Sequence, residues 1–289
     1  MGFFAVLRTL GIDSRAAYQR LSAASLTAAI REQGLAELAD RLRTIIPDPS
    51  DQYTATFDPI EFGRYWEIKM RGLHAFQMRA LIDALAAIGK PAAEIADLGD
   101  SSGNHGIYLK ALAAEGQVKR YVSVNLDPVA VDKVRAKGGE AMLSPIEALD
   151  LSVFAPDLIV SFETFEHLTD PLRMFHTLAT KASAEHLLIT VPLRRHSRFG
   201  GTLMRQRLDR LPAELTPEAV HIHEFSPADW RLMARFGGFA TVFERRYRQY
   251  PRLSPLVATR PLWRHLDHEG FLALLLRRDL SLASRYTGW

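Results

Sequence analysis

The chain has 289 residues, of which 47% are hydrophobic and 24% are charged, and its formal net charge is +3. These values are typical of a globular protein with a full-sized core, and no apolar run is long enough to predict a membrane-spanning segment. The absence of cysteine excludes disulfides, thiolate metal sites and cysteine nucleophiles, and it favours a cytoplasmic location.

The first 90 residues predict a helical extension. Apolar residues recur at helical spacing in 14–30 and 32–46, and a longer helix is expected between residues 58 and 90. The apolar stripe of this longer helix consists of Phe62, Trp66, Met70, Leu73, Phe76, Ala80 and Ala84, whereas Tyr65, Lys69, Arg71 and His74 lie off it.

From residue 94 onward, short apolar runs alternate with helical patterns. Such alternation indicates a parallel sheet with helices on both of its faces. Two later strand patterns, at 239–247 and 270–277, predict an antiparallel hairpin at one edge of that sheet. The predicted parallel strands are 94–98, 120–125, 157–162 and 185–191, and the predicted helices are 105–115, 127–137, 169–181 and 226–236.

A glycine-rich turn follows the first of these strands and leads into a helix. Open parallel sheets bind ligands beyond the carboxyl ends of their strands, so this turn is the expected nucleotide site. Its frame, Asp97-x-Gly99-x-Ser101-x-Gly103, lacks the G-x-G-x-x-G pattern of dinucleotide folds. It resembles motif I of the class I S-adenosylmethionine-dependent methyltransferases, D/E-x-G-x-G-x-G, with Ser101 in place of one glycine.

Four further segments are similar to the same family and follow in the same order. Residues 121–128 resemble the second strand and its end, 144–147 the loop that borders the adenine, and 223–239 a late segment of the family. The best match is 157–171, which ends in Glu-His-x-x-Asp-Pro and resembles the small-molecule methyltransferases. The resemblance covers about residues 92–280.

This resemblance implies a Rossmann-like, doubly wound, mostly parallel sheet of seven strands. It implies a methyltransferase domain at 91–289 behind the helical extension, or cap, at 1–90, and S-adenosylmethionine as the cofactor. His105, at the start of the following helix, is expected to face solvent, and the alternative is that it neighbours the cofactor. The implied cofactor-binding residues are Asp97, Gly99, Asp100, Ser101, Gly103, Asn125, Leu126, Pro145, Ile146 and Phe162.

Candidate catalytic residues lie after the fourth strand and in the late segment. The order Glu163-x-x-Glu166-His167 resembles the ubiquinone-type O-methyltransferases, where it has been linked to a divalent ion. The alternative is that Glu166 and His167 only brace the next helix, and no metal is expected. His221 and His223 would share one face of a strand without a third ligand. We therefore select Glu163, His167 and His223 as catalytic candidates.

An arginine-rich, irregular segment at 193–225 follows the fifth strand, where the family often has a substrate lid. Arginine binds carboxylate and phosphate through a planar fork. Arg194, Arg195, His196 and Arg198 are accordingly predicted to hold a phosphate or carboxylate of the acceptor. The alternative is that they are solvated loop charges.

The resemblance implies a methyltransferase enzyme, and we expect O-methylation of a small or glycan-like acceptor, including an acidic one. Ser101 and Asn125, which depart from the family pattern, motivate the alternative of a non-catalytic, methyltransferase-like partner subunit. An RNA methyltransferase is a further alternative, although RNA is not expected because the basic segment has few aromatic residues. DNA is not expected as a partner, and the sequence does not predict the oligomeric state.

Overall fold

The computed structural model describes residues 14–52, 65–150, 154–266 and 268–289. Eight helices and nine strands lie in these ranges. The helices are α1 (Ser14–Glu32), α2 (Ala36–Ile45), α3 (Glu67–Ile88), α4 (Asn104–Leu112), α5 (Pro128–Ala136), α6 (Pro171–Lys181), α7 (Pro227–Gly237) and α8 (Arg260–Leu266). The strands are β1 (Ala93–Leu98), β2 (Val118–Asn125), β3 (Glu140–Leu143), β4 (Leu158–Phe162), β5 (His186–Leu193), β6 (Arg198–Phe199), β7 (His223–Glu224), β8 (Phe239–Arg248) and β9 (Gly270–Arg278).

Seven strands form one sheet in the order β3-β2-β1-β4-β5-β9-β8. Strands β1 to β5 are parallel to one another, whereas β9 is antiparallel to both β5 and β8. The predicted Rossmann-like fold with an antiparallel hairpin is therefore confirmed. The sequence patterns missed β3 because this strand has only four residues and none of them is fully buried.

Both faces of the sheet are covered by helices, which explains the continuous apolar runs of β4 and β5. Successive side chains of a strand point to opposite faces. Leu187 and Ile189 thus join one apolar cluster with α6 and α7, whereas Leu188 joins a second cluster with α3 and α4. The clusters are anchored by Phe175 and Trp230 on one face, and by Phe76 and Tyr108 on the other.

Helix α3 is buried on more sides than its predicted stripe suggested. The expected start near residue 58 and Phe62 lie outside the described residues. Arg71 and His74, off the stripe, are 1% and 2% exposed. The Arg71 guanidinium donates to the carbonyl oxygens of Ile46 and Pro47 at 2.5 and 2.9 Å, which ties α3 to the end of α2. The apolar core continues across residue 90, so the division into two domains there stays a prediction.

No helix in the described ranges is long and apolar enough to cross a membrane.

Several helix starts follow their sequence signals. Ser226 caps α7 and Asp170 caps α6, each followed by a proline in the first turn. Asp127 caps α5 in the same way, since its carboxylate accepts the Val129 N–H at 2.8 Å.

The arginine-rich segment at 193–225, hereafter the lid, is fastened by one buried carboxylate. Strands β6 and β7 pair within it. Glu224 accepts a hydrogen bond from the Arg198 guanidinium at 2.6 Å, forms an ion pair with Arg194 at 2.9 Å, and lies 3.0 Å from Nδ1 of His221. Burial alone would raise the Glu224 pKa, but the hydrogen bonds from His221 and Arg198 and the charge of Arg194 outweigh it and bring the pKa to about 2.

We expect Glu224→Gln to lower the free energy of unfolding by about 3 kcal/mol at pH 7, because the buried Arg194 and the partly buried Arg198 lose their counter-charge. Since the folded-state pKa is depressed, this stabilisation exists above the ordinary glutamate pKa and is lost as pH falls towards the folded value. Urea unfolding at pH 7 and pH 3 measures the difference in unfolding free energy between wild type and Glu224→Gln, and this difference should be smaller at pH 3. The exposed lid carboxylate Glu214 gives the control, Glu214→Gln. Equal stability of Glu224→Gln and wild type at pH 7 would contradict the role of Glu224.

Candidate functional site

The turn between β1 and α4 needs glycine at two positions. Gly99 has φ +94°, and a Cβ there would lie 2.2 Å from Oγ1 of Thr164, which follows β4. Gly103 has φ +75° at the N-cap of α4. Both backbones lie in the left-handed region that favours glycine. The predicted strand, glycine-rich turn and helix are therefore all present, and the turn after β1 touches the turn after β4.

Asp100 shapes this turn from inside. Its carboxylate accepts the N–H groups of Ser102 and Gly103 at 3.1 and 2.9 Å, and the hydroxyl of Ser123 at 2.6 Å. The side chain is 3% exposed. Both carboxylate oxygens thus bond to groups of the protein. Asp100 therefore orders the turn at which a ligand is expected.

Asp97 is a buried acid at the end of β1, 1% exposed. It accepts the Tyr121 hydroxyl at 2.5 Å and lies 3.6 Å from Nδ1 of His105. Burial, followed by the charge of Asp100, raises its pKa, against the opposing effects of His105 and Tyr121. A buried carboxylate beside a turn that excludes side chains fits the ammonium group of an amino-acid ligand.

His105 was expected to face solvent, and that prediction is wrong. Its ring packs edge-on against Phe162 at 4.7 Å between centroids, and Nε2 lies 3.0 Å from Oε1 of Gln77 in α3. The Gln77 amide in turn donates to the Thr190 hydroxyl of β5 at 3.1 Å. The reason is tertiary, since α3 covers the start of α4 and leaves His105 only 4% exposed.

The other implied cofactor residues lie at the carboxyl ends of β2, β3 and β4. Asn125 donates to the Asp100 carbonyl at 2.9 Å and its side-chain oxygen accepts the Asp127 N–H at 2.9 Å. It thus links the end of β2 to the turn after β1. Leu126 is half exposed, whereas Ile146 is buried at the start of a 3-10 turn after Pro145. Their roles in cofactor binding stay predictions, but they lie at the carboxyl ends of the parallel strands, where ligands of such sheets bind.

Two acidic residues meet just beyond β4. Glu163 has φ +53°, which is rare for a residue with a side chain, and Glu166 is fully buried. Among the described residues, one Glu163 oxygen and both Glu166 oxygens are buried without a hydrogen-bond partner at normal distance. Burial raises the Glu163 pKa to about 8, and burial, followed by the charge of Glu163, raises the Glu166 pKa well above its usual range. A shared proton would satisfy such a pair.

Two histidines border this acid pair. Nδ1 of His167 lies 2.8 Å from the Val220 carbonyl, and Nε2 lies 3.8 Å from Glu166. The ring of His221 meets that of His167 edge-on at 4.8 Å. Burial, then the neighbouring His221, lowers the His167 pKa to about 4. Ligand atoms of Glu166, His167 and His221 lie within 4.8 Å of one another, a donor set that could hold a divalent transition metal.

His221 is not among the catalytic candidates selected from the sequence, where it was considered only together with His223. It was paired with His223 on one strand face, and that expectation is wrong because β7 starts only at His223. The His223 ring instead lies near the rings of Phe199 and Phe225, at 5.6 and 5.2 Å, where burial lowers its pKa. Its catalytic role stays a prediction, whereas His221 joins the acid pair and borders a cavity of about 170 Å³.

The predicted substrate-binding residues divide into two pairs. Arg194 and Arg198 contact Glu224 inside the lid, as described above. Arg195 and His196 are exposed on the surface. Only the second pair therefore presents its side chains openly to an acceptor.

Comparison with known proteins agrees with this geometry. A family model described as a methyltransferase domain matches residues 65–243, more than half of the chain. No curated protein matches the sequence. Many solved structures share the fold. One from Galdieria sulphuraria, assigned as a sarcosine dimethylglycine methyltransferase, is 15% identical, with a TM-score of 0.53, over 84% of this chain and 98% of that chain.

Two further structures show the same likeness. A Haloferax volcanii protein assigned as a methyltransferase, in complex with the Trm112 methyltransferase activator, is 16% identical over 74% of this chain and 94% of its own, with a TM-score of 0.50. An S-adenosylmethionine-dependent methyltransferase from Mesorhizobium loti is 18% identical over 69% and 98%, with a TM-score of 0.44. At these identities the Galdieria and Haloferax structures show the fold alone, and the family match assigns the chain. The protein therefore belongs to the class I methyltransferases, and S-adenosylmethionine is its methyl donor.

Proposed function

We propose that this enzyme methylates a hydroxyl oxygen of a small or glycan-like acceptor. The observation that carries the proposal is the acid pair Glu163–Glu166 next to the glycine-rich turn. When bound, S-adenosylmethionine would supply a sulfonium methyl group, whose carbon bonds to the acceptor oxygen as the carbon–sulfur bond breaks and S-adenosylhomocysteine leaves. A hydroxyl must lose its proton as the new carbon–oxygen bond forms, and a base positioned at that oxygen accelerates the step.

Glu163 is the proposed base. Its backbone is held in an unfavourable conformation, a feature that clusters at active sites, and one of its oxygens has no partner in the described part of the chain. Groups that face it are Glu166, the Thr190 hydroxyl and the charge of Lys69. The acceptor hydroxyl would lose its proton to Glu163. The proton that Glu163 and Glu166 share at neutral pH would stay on Glu166.

His167 and His221 are proposed to orient the acceptor. Because Nδ1 of His167 lies against the Val220 carbonyl, it carries the proton, and Nε2 is left as an acceptor. Nδ1 of His221 likewise faces the Glu224 carboxylate. The cavity beside His221, lined also by Thr202, Ala219 and His268, would receive part of a small acceptor.

An acidic acceptor would be recognised by Arg195 and His196, since Arg194 and Arg198 already neutralise Glu224. An exposed pair of this size supports a small or glycan-like acceptor with an acidic group, and not RNA, which needs a longer basic and aromatic surface.

The absence of cysteine supports the cytoplasm as the proposed location.

The pH dependence of turnover tests the base. Glu163 must be ionised to accept the proton, so kcat/KM should rise about tenfold per pH unit below its pKa of about 8 and level off above it. Glu163→Gln should lower kcat by roughly a hundredfold or more and abolish this pH dependence. Glu185→Gln, an exposed carboxylate at the opposite end of β5, is the control. An unchanged profile in Glu163→Gln would refute the assignment.

Treatment with a chelator distinguishes a proton shared by Glu163 and Glu166 from a bound metal ion. We expect an unchanged rate after treatment with EDTA, because a proton between Glu163 and Glu166 already explains their unpartnered oxygens. Loss of activity that returns with Zn²⁺ or Mn²⁺ would instead assign an ion to Glu166, His167 and His221.

Cofactor binding tests Asp97. Asp97→Ala removes a charged hydrogen-bond acceptor, which is worth about 2 kcal/mol, so the Kd for S-adenosylmethionine in calorimetry should rise roughly thirtyfold. Thermal unfolding checks that the variant is folded, and Asp132→Ala on the exposed face of α5 is the control. Equal affinity of Asp97→Ala and wild type would exclude this role.

The same titration addresses the second candidate, a non-catalytic partner subunit. The Haloferax neighbour, in complex with an activator, is the observation that supports a protein partner. No binding of S-adenosylmethionine by the wild-type protein at millimolar concentration would favour that candidate.

A further inference from the structure

A short segment of the N-terminal region lies against the glycine-rich turn. It is the 3-10 turn Ser50–Gln52. Gln52 uses its whole amide group on the turn, since Nε2 donates to the Ser101 hydroxyl at 3.0 Å and Oε1 accepts from Ser102 and Asn104 at 2.9 and 3.0 Å. The side chain is buried, with the residue 8% exposed. One residue from outside the motif therefore contacts three of the four positions 101–104, all but Gly103.

Ser101 completes this contact from the other side. Its hydroxyl donates to the Gln52 carbonyl at 2.5 Å while it accepts the Gln52 amide. The position is a glycine in the family pattern that the turn resembles, and glycine has no group that could make either bond. The departure at Ser101 therefore has a defined partner in this chain.

Asp51 adds a charged contact next to Gln52. Its carboxylate forms an ion pair with Lys137 at 2.5 Å. Lys137 also donates to the Ser102 carbonyl and to the side-chain oxygen of Asn104, both at 2.8 Å. Helix α5, the glycine-rich turn and the N-terminal segment are thus joined by one set of polar contacts.

We propose that Gln52 is a positioning residue for S-adenosylmethionine, which acts by holding the 101–104 backbone in its ligand-ready shape through Ser101. A glycine-rich turn has many accessible conformations, and a ligand that must order it binds more weakly than one that finds it ordered. The contacts of Gln52 order the turn before the ligand arrives. This assigns part of the N-terminal region to the cofactor site, and the proposal does not depend on the acceptor or on the base.

A purely structural role would have different consequences, and the chain offers a matched comparison. Gln33 also ties the N-terminal region to the sheet, by donating to the Arg248 carbonyl and accepting the Arg248 N–H, both at 2.8 Å. These contacts are at β8, at the far edge of the sheet from β1. Gln33→Ala should therefore lower stability and leave cofactor affinity unchanged.

The test measures the Kd of S-adenosylmethionine by calorimetry and the unfolding temperature for Gln52→Ala, Ser101→Gly, Ser101→Thr, the double variant of the first two, and Gln33→Ala. We expect about tenfold weaker binding by Gln52→Ala. Ser101→Gly should also weaken binding although it restores the family residue, and the double variant should bind no more weakly than Gln52→Ala, because the two residues act through one shared contact. Ser101→Thr keeps the hydroxyl and should bind like wild type.

Three results would overturn the proposal. The first is wild-type affinity in Gln52→Ala. The second is wild-type or tighter binding by Ser101→Gly, a variant that keeps Gln52 and its bonds to Ser102 and Asn104. The third is a loss of affinity in Gln33→Ala that matches the loss in Gln52→Ala at an equal drop in unfolding temperature.

Discussion

The contact between two turns, at Gly99 and Thr164, is the constraint on which the site depends. Gly99 leaves no room for a side chain, because a Cβ would collide with the Thr164 hydroxyl. Ser161 and Thr164 both donate to the Leu98 carbonyl, at 2.8 and 3.3 Å. The end of β1 and the end of β4 are thereby held together. The cofactor turn and the acid pair at Glu163 are neighbours for this reason, although some 60 residues separate them in sequence.

Buried carboxylates in this protein differ in charge because their surroundings differ. Glu224 is surrounded by Arg194, Arg198 and His221, and its pKa falls to about 2. Glu163 is half-buried and Glu166 is fully buried, but each has the other as a neighbouring acid, and their pKa values rise. Opposite charges favour the ionised form, whereas burial and a like charge favour the neutral one. The first arrangement holds the lid on the protein, and the second is the acid pair that we propose as the proton acceptor.

The motif that departs from the family pattern is supported from outside the motif. Ser101 lacks the freedom of glycine but gains two hydrogen bonds to Gln52. Asn125 lacks the charge of an acid but bridges Asp100 and Asp127. Both substitutions link the turn to another part of the chain. In the sequence, Ser101 and Asn125 are departures from the family pattern, whereas in the structure each of them makes defined contacts.

The sequence by itself determined the alternation of strands and helices, the glycine-rich turn and the membership of a methyltransferase family. Those features are local, since the spacing of apolar residues, Gly99 and Gly103 follows from backbone preferences over a few positions. Only the tertiary structure decided that His105 is buried, that His221 rather than His223 meets His167, that Arg194 is bound by Glu224, and that Gln52 contacts Ser101. Each of these depends on partners from distant parts of the chain, and the burial or charge of a side chain is set by the groups that pack around it.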